Sequence, residues 1–264
     1  MRARPDRWFP DLLSAATKVF IAKGYRQTQM SDIAREMGVS QGTLYNYVES
    51  KEALFLLACE QGFSDSPPQA PAPPPVPSQS FTTMVERIRE RMLSTTRLET
   101  LRSALRTRKP VDASTELEGV LREFYSMIAR YRHGFDLIER SALEVPEMAH
   151  VLFVEGRRGA VDGFARYIAG RIDSGHFRSV RDPATAARFI IEAVTWFARH
   201  RHNSAESQTI GDDDALETTI HFLVAGLVAE GRQPARNSRK ETPSNTPIRT
   251  FKKQRTSRGA RRKP

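Results

Sequence analysis

Seven prolines (Pro67, Pro68, Pro71, Pro73, Pro74, Pro75 and Pro77) crowd one short stretch, and no helix can run through them. Proline fixes φ and removes the backbone N–H, so such density favours a stiff, extended connector. The 264-residue chain therefore divides into an N-terminal unit over 1–64, a Pro-rich linker over 65–79, a larger body over 80–230 and a tail over 231–264. No internal repeat is visible.

Charge is distributed just as unevenly. The chain carries a net +10, yet residues 1–63 hold +1 and residues 64–230 hold −2, so the tail alone holds +11. Apart from Ile248 and Phe251 the tail is almost without apolar residues, and prolines recur among Ser, Thr and Asn. Such a segment cannot bury enough surface to offset its ordering entropy, and it is expected to be a disordered basic tail. The single cysteine, Cys59, excludes an intrachain disulfide framework and a zinc ribbon or finger. It points to a reducing, cytoplasmic setting. No apolar run approaches the roughly 20 residues of a membrane span, and Met1-Arg2-Ala3-Arg4-Pro5-Asp6 lacks the apolar stretch of a signal peptide. No membrane partner is expected.

Helical periodicity dominates, and the fold class read from it is all-α. In the N-terminal unit Leu12, Leu13, Ala16, Val19 and Phe20 share one helical face, and Gly24 ends that helix. Thr28 reads as the cap of a second helix bearing Ile33, Ala34 and Met37. After the turn Gly38-Val39, Ser40 caps a short helix carrying Leu44, Tyr45 and Val48, and Lys51 opens a fourth with Leu54, Phe55, Leu57 and Ala58. Two short helices about a glycine turn, near 29–48, have helix-turn-helix geometry, in which the first residues of the second helix meet base edges in the major groove. Gln41 and Thr43 carry groups suited to base edges or phosphates, Gly42 allows close backbone approach, and Tyr45, Tyr47 and Lys51 are placed to meet flanking phosphates. The plainer alternative is an ordinary four-helix subdomain in which Tyr45 and Tyr47 simply pack.

Several runs combine into a longer signature: Ala16 to Tyr25, then Thr28, then Asp32-Ile33-Ala34, then Gly38 to Tyr45, then Ser50-Lys51-Glu52-Ala53-Leu54. Together they resemble the tetracycline-repressor (TetR) family over about 45 residues. The resemblance implies a homodimeric, ligand-responsive transcriptional repressor that reads a palindromic operator in double-stranded DNA. It also implies a recognition helix over Ser40–Tyr47, with Thr28, Tyr45 and Lys51 as phosphate contacts. Two positions depart from the family pattern: Gln29 replaces a common Thr or Ser, and Val48 stands where Phe is more frequent. The run Gly38-Val39-Ser40-Gln41-Gly42 also satisfies G-x-S-x-G, but that hydrolase motif requires a strand before it, and Ile33 to Met37 has helical spacing.

The body reads as helices near 80–94, 97–108, 114–132, 134–143, 147–173, 183–201 and 212–230, with Ser114-Thr115, Asp182-Pro183 and Gly231 as boundary signals. Leu216, Ile220, Leu223 and Leu227 follow a packing-seam spacing, and Ile190, Val194 and Phe197 lie on an apolar face of the preceding helix. Two such helices from each subunit make a candidate four-helix dimer interface, the alternative being an intramolecular core. Phe124, Tyr125, Ile128, Tyr131, Phe164, Tyr167 and Trp196 are candidates for the wall of an apolar effector pocket, with Tyr125, Tyr131 or Arg166 as polar handles. His200-Arg201-His202 lacks neighbouring carboxylate or thiol ligands and reads as a solvated helix end, and Asp212-Asp213-Asp214 suits a helix start. Gly156, Gly159 and Gly163 lie on a helix and form no phosphate cradle. Cys59 reads as buried filler.

No metal, cofactor, paired carboxylates or nucleophile with base is indicated, so an enzyme is not expected. The function expected is a DNA-binding repressor released by a small apolar effector. The alternatives are a nonspecific basic nucleic-acid-binding protein and, without a motif to support it, a small-molecule enzyme.

Overall fold

The computed structural model describes residues 7–70, 74–107, 110, 112–207 and 209–229. The basic tail, Gly231 and linker residues 71–73 lie outside them.

The N-terminal unit is built of α1 (Trp8–Lys23), α2 (Met30–Met37), α3 (Gln41–Tyr45) and α4 (Lys51–Gly62). Gly24 ends α1 at φ 85°, and its N–H donates to the Phe20 carbonyl. The start of α2 differs from expectation. Gln29, not Thr28, is the N-cap, and the Asp32 carboxylate accepts its backbone N–H at 3.0 Å. Gly38 turns the chain in the left-handed region at φ 67°, which glycine adopts without steric cost. Ser50 caps α4 by accepting the Ala53 N–H. Leu12, Ala16, Phe20, Ile33, Leu44, Leu54 and Phe55 are buried as one core, fixing α3 against its neighbours through Leu44.

The body comprises α5 (Phe81–Thr95), α6 (Glu99–Arg106), α7 (Ala113–Arg130), α8 (Arg132–Ala142), the one-turn α9 (Pro146–Ala149), α10 (Gly159–Asp173), α11 (Pro183–Ala198) and α12 (Asp212–Leu227). Between α9 and α10 the backbone is a π-helix over His150–Arg158, so the single helix read across 147–173 changes its hydrogen-bond register midway. Among the described residues there are no strands, only two isolated bridges, Val48 with Val76 and Phe177 with Val228. The second bridge explains why α12 stops at Leu227 rather than near 230: Arg178 N–H donates to the Leu227 carbonyl and Ala229 N–H to that of His176. Asp112, not Ser114-Thr115, caps α7, while Asp182 caps α11 as its pairing with Pro183 suggested.

Buried arginines close the helix ends. Arg171 donates to the Ala104 and Thr107 carbonyls and to Glu116, joining α6, α7 and α10. Arg201 donates to the Phe197 and Ile210 carbonyls and to Asp212, so the His-Arg-His run is organised around a capping guanidinium. Cys59 is buried, and burial pushes its thiol well above the usual range.

Candidate nucleic-acid interface and effector cavity

The outward surface of α3 is polar. Ser40, Gln41, Gly42, Tyr45 and Asn46 are exposed and Thr43 is half-buried, while Leu44 beneath them is fully buried. The Ser40 and Thr43 hydroxyls lie 2.9 Å apart, and Gln41 Nε2 donates to the Tyr45 hydroxyl at 3.4 Å. Ser40 precedes a helix that follows another helix, so no nucleophile elbow exists here. Asn46, which sequence spacing did not single out, extends this surface just past the end of α3.

Three of the expected phosphate contacts have other partners. Thr28 is buried, and its hydroxyl donates to the Gly24 carbonyl at 2.7 Å, which shapes the α1–α2 turn. Lys51 donates to the Tyr25 carbonyl at 3.0 Å and lies 4.6 Å from the Tyr25 ring centroid; burial lowers its pKa. The Tyr47 ring stacks on Trp8 with centroids 3.5 Å apart. Both side chains brace the end of the motif. For Lys51 and Tyr47 the partners, Tyr25 and Trp8, lie on segments that helix spacing does not relate to them, whereas the Thr28 contact is local, four residues back along the chain.

The Pro-rich segment returns to this motif. Val76 N–H donates to the Tyr47 carbonyl at 2.7 Å, Glu49 N–H donates to the Val76 carbonyl at 3.0 Å, and Ser78 N–H donates to Glu49 Oε2 at 2.9 Å. Residues 76–78 are therefore bound to the motif rather than spacing it from the body.

Helix α8 makes a second junction. Its Gly134 crosses Gly62 of α4 so closely that a Cβ on Gly134 would lie 2.7 Å from the Phe63 ring and 2.8 Å from the Gly62 carbonyl oxygen. Just beyond α8, Glu144 accepts from Arg26 N–H at 3.1 Å and from Gln27 Nε2 at 2.6 Å, and Arg140 donates to the Lys23 carbonyl at 3.3 Å. The turn between α1 and α2 is thus held directly by the body.

Through Phe135, α8 also borders a cavity of about 90 Å³. Phe124 and Ile128 line it as expected, together with Met92, Met127, Phe135, Leu152 and Ile191. Its polar groups are Thr96, Thr195, Arg157 and Arg199. The other expected lining residues lie elsewhere. Tyr125 is buried with its hydroxyl on the Phe197 carbonyl, and Tyr131 donates to Asp65. Phe164 packs on Phe124, Tyr167 donates to Glu116, and Trp196 lies on the surface against Phe197. Arg166 is not a handle; it donates to the Asp162 carbonyl. Arg199 is buried, donates to Asp136 Oδ1 at 2.6 Å and to Glu139, and so ties the cavity wall on α11 to α8.

The α11–α12 seam is packed within the chain. Ile190, Val194, Ile220, Leu223 and Leu227 are buried and Phe197 and Leu216 half-buried, so those stripes are intramolecular core. The apolar side chains left outside the seam are Phe189 at 68%, Phe222 at 72% and Trp196 at 38% exposure. Among the described residues, no helix is long and apolar enough to cross a membrane.

Comparison with known proteins gives consistent results. Residues 12–58 match the family model described as bacterial regulatory proteins, tetR family. The uncharacterized HTH-type transcriptional regulator YfiR of Bacillus subtilis is 27% identical over 186 residues, covering 70% of this chain and 76% of its own. Three other curated relatives from that organism match over 49, 45 and 48 residues, which is 17%, 16% and 25% of their lengths. Among solved structures, the ketosteroid transcriptional regulator KstR2 of Mycobacterium tuberculosis aligns with a TM-score of 0.54 at 16% identity, over 86% of this chain and 98% of its own. AibR, solved in complex with isovaleryl coenzyme A and operator DNA, aligns with a TM-score of 0.50 at 16% identity, over 82% of this chain and 97% of its own.

Proposed function

Because this chain belongs to the tetR family of bacterial regulators, a DNA-binding transcriptional regulator, we propose that it acts as a homodimeric repressor whose hold on a palindromic operator is released by a small apolar effector. The observation that carries this reading is the polar face of α3, where Gln41, Gly42 and Tyr45 stand exposed over buried Leu44. A short helix with amide and hydroxyl groups at its outer end is what major-groove reading requires.

The dimer face we assign is the outer surface of α11 and α12, with Phe189, Trp196 and Phe222, because large exposed apolar side chains gathered on two adjacent helices mark association surfaces. Two copies related by a twofold axis present two recognition helices to the two halves of a palindrome.

Effector binding is assigned to the cavity bordered by α5, α7, α8, α10 and α11. At about 90 Å³ it is smaller than the roughly 300–1,000 Å³ of occupied ligand pockets, so binding must widen it. The π-helical wall, which supplies Leu152, Gly156 and Arg157, is the least regular part of the lining. Widening displaces Phe135 and Arg199, and through them α8, which crosses α4 at Gly134 and leads into Glu144, the residue that grips the α1–α2 turn. The isovaleryl coenzyme A bound by AibR is one example, within this fold, of a ligand with a short apolar acyl group. A coupling of about 1–3 kcal/mol suffices, since it changes affinity roughly 5–150-fold.

The test is selection of duplexes from a random-sequence pool. The wild-type protein is expected to enrich a palindrome, and Gln41→Ala to weaken binding to it by about 1–3 kcal/mol with relaxed preference at the base pairs it faces. Enrichment of no sequence would remove the reading.

A further inference from the structure

We propose that the proline-rich segment is a positioning element for DNA recognition: Val76 and Ser78 hold the end of the recognition helix, making the start of α5 its second anchor. The inference rests on α3 being the helix that reads DNA.

The local sequence singles out this attachment. In Pro73-Pro74-Pro75-Val76-Pro77 only Val76 has a backbone N–H, and that N–H is donated to the Tyr47 carbonyl at 2.7 Å. The next available donor, Ser78 N–H, goes to Glu49 Oε2 at 2.9 Å. Every backbone donor between residues 73 and 78 is thus spent on residues 47 and 49. Pro77 restricts Val76 to extended backbone, the conformation its parallel bridge to Val48 requires. Val48 itself is fully buried, and its β-branched side chain suits a bridge position.

The recognition helix has reason to require such support. It has five residues, too few to persist without tertiary packing. The Tyr47 carbonyl lies beyond its last turn, where helical hydrogen bonding no longer supplies a partner. Val76 supplies one. Only four residues separate Val76 from Phe81, the first residue of α5, whose ring lies 5.9 Å from that of Tyr25. Further along α5, Met92 lines the cavity. A shift of α5 is therefore passed to residues 47–49 along the four residues Pro77 to Ser80, of which Ser78 is itself bonded to Glu49, in parallel with the route through α8.

Three variants of the full-length protein test this. Val76→Pro removes the N–H while leaving extended backbone, and Glu49→Ala removes the acceptor of Ser78 without touching the segment. Glu49→Gln restores an oxygen acceptor. Binding is measured to the duplex selected by the wild-type protein and to an unrelated duplex of equal length, and amide exchange is followed at residues 44–50 in the free protein. We expect Val76→Pro and Glu49→Ala each to lose roughly fivefold to tenfold in affinity for the selected duplex and to exchange faster at 44–50. Affinity for the unrelated duplex should hold in Val76→Pro and hold or rise in Glu49→Ala, which loses a negative charge, and Glu49→Gln should recover most of the loss for the selected duplex. The sign for Glu49→Ala is diagnostic, because removal of a negative charge near phosphates would by itself tighten binding. The proposal is overturned if either variant binds the selected duplex as the wild type does, if Glu49→Ala tightens binding to it, or if exchange at 44–50 is unchanged. Should Val76→Pro fail to fold, the Glu49 pair decides. Failure of the wild-type protein to select any duplex counts against α3 as the reader, and amide exchange then still decides whether the segment holds residues 44–50.

Discussion

Arg199 joins the cavity to the part of the body that holds the DNA-reading unit, and its surroundings define what its loss costs. Its side chain and that of Asp136 are 4% and 10% exposed, and Glu139 completes the cluster. Removing one partner of a buried ion pair leaves a charge without compensation, at about 3–5 kcal/mol. Arg199→Met should therefore lower Tm by roughly 10 °C in calorimetry, and adding Asp136→Asn should recover part of that fall. An unchanged Tm in the single variant would show that the cluster does not stabilise the α8–α11 junction. At this scale the sequence was legible where chemistry is local. Gln41, Gly42 and Tyr45 stand exposed on α3 as their spacing implied, and Asp182 caps α11. It did not reveal the backbone acceptors of Thr28 and Lys51, which are Gly24 and, 26 residues earlier, Tyr25. Arg199 was missed because nothing in its neighbourhood signals that Asp136 and Glu139, on a different helix, await it.

Helices were legible as helices because apolar periodicity and caps are properties of a single segment. Their partners were not. The spacing of Leu216, Ile220, Leu223 and Leu227 marks a stripe that must be covered, but periodicity does not say whether the cover is the same chain or another. Here most of that stripe packs within the chain, and the dimer face proposed above carries the exposed Phe189, Trp196 and Phe222. The double variant Phe189→Glu with Phe222→Glu is expected to shift the protein from dimer to monomer in sedimentation velocity. It should also lower operator affinity steeply, while far-ultraviolet circular dichroism stays unchanged, because both side chains are already exposed in the single chain. A dimer that survives both charges would place the interface elsewhere. The linker shows the same limit in reverse: proline density excludes a helix, and none runs through the described residues 67–70 and 74–77, yet only the fold reveals that Val76 is bound to the helix-turn-helix.

At the scale of the whole molecule, the net charge and the proposed DNA-reading helix lie in different parts of the chain. The +11 of residues 231–264 exceeds the chain's net +10, whereas residues 1–63, which contain α3, carry only +1. Deleting residues 231–264 should flatten the dependence of log K on log salt, by roughly 0.9 for each phosphate that the tail no longer neutralises, and preserve the preference for the selected duplex over others. Loss of preference on truncation would mean that the tail, not α3, reads sequence. The central claim, that two copies of α3 read the two halves of a symmetric site, is tested most directly by footprinting the wild-type protein on its selected duplex. The account predicts two protected half-sites related by a twofold axis and centred about one helical turn, or a whole number of turns, apart. Uniform protection without boundaries, or a single unpaired half-site, would contradict it.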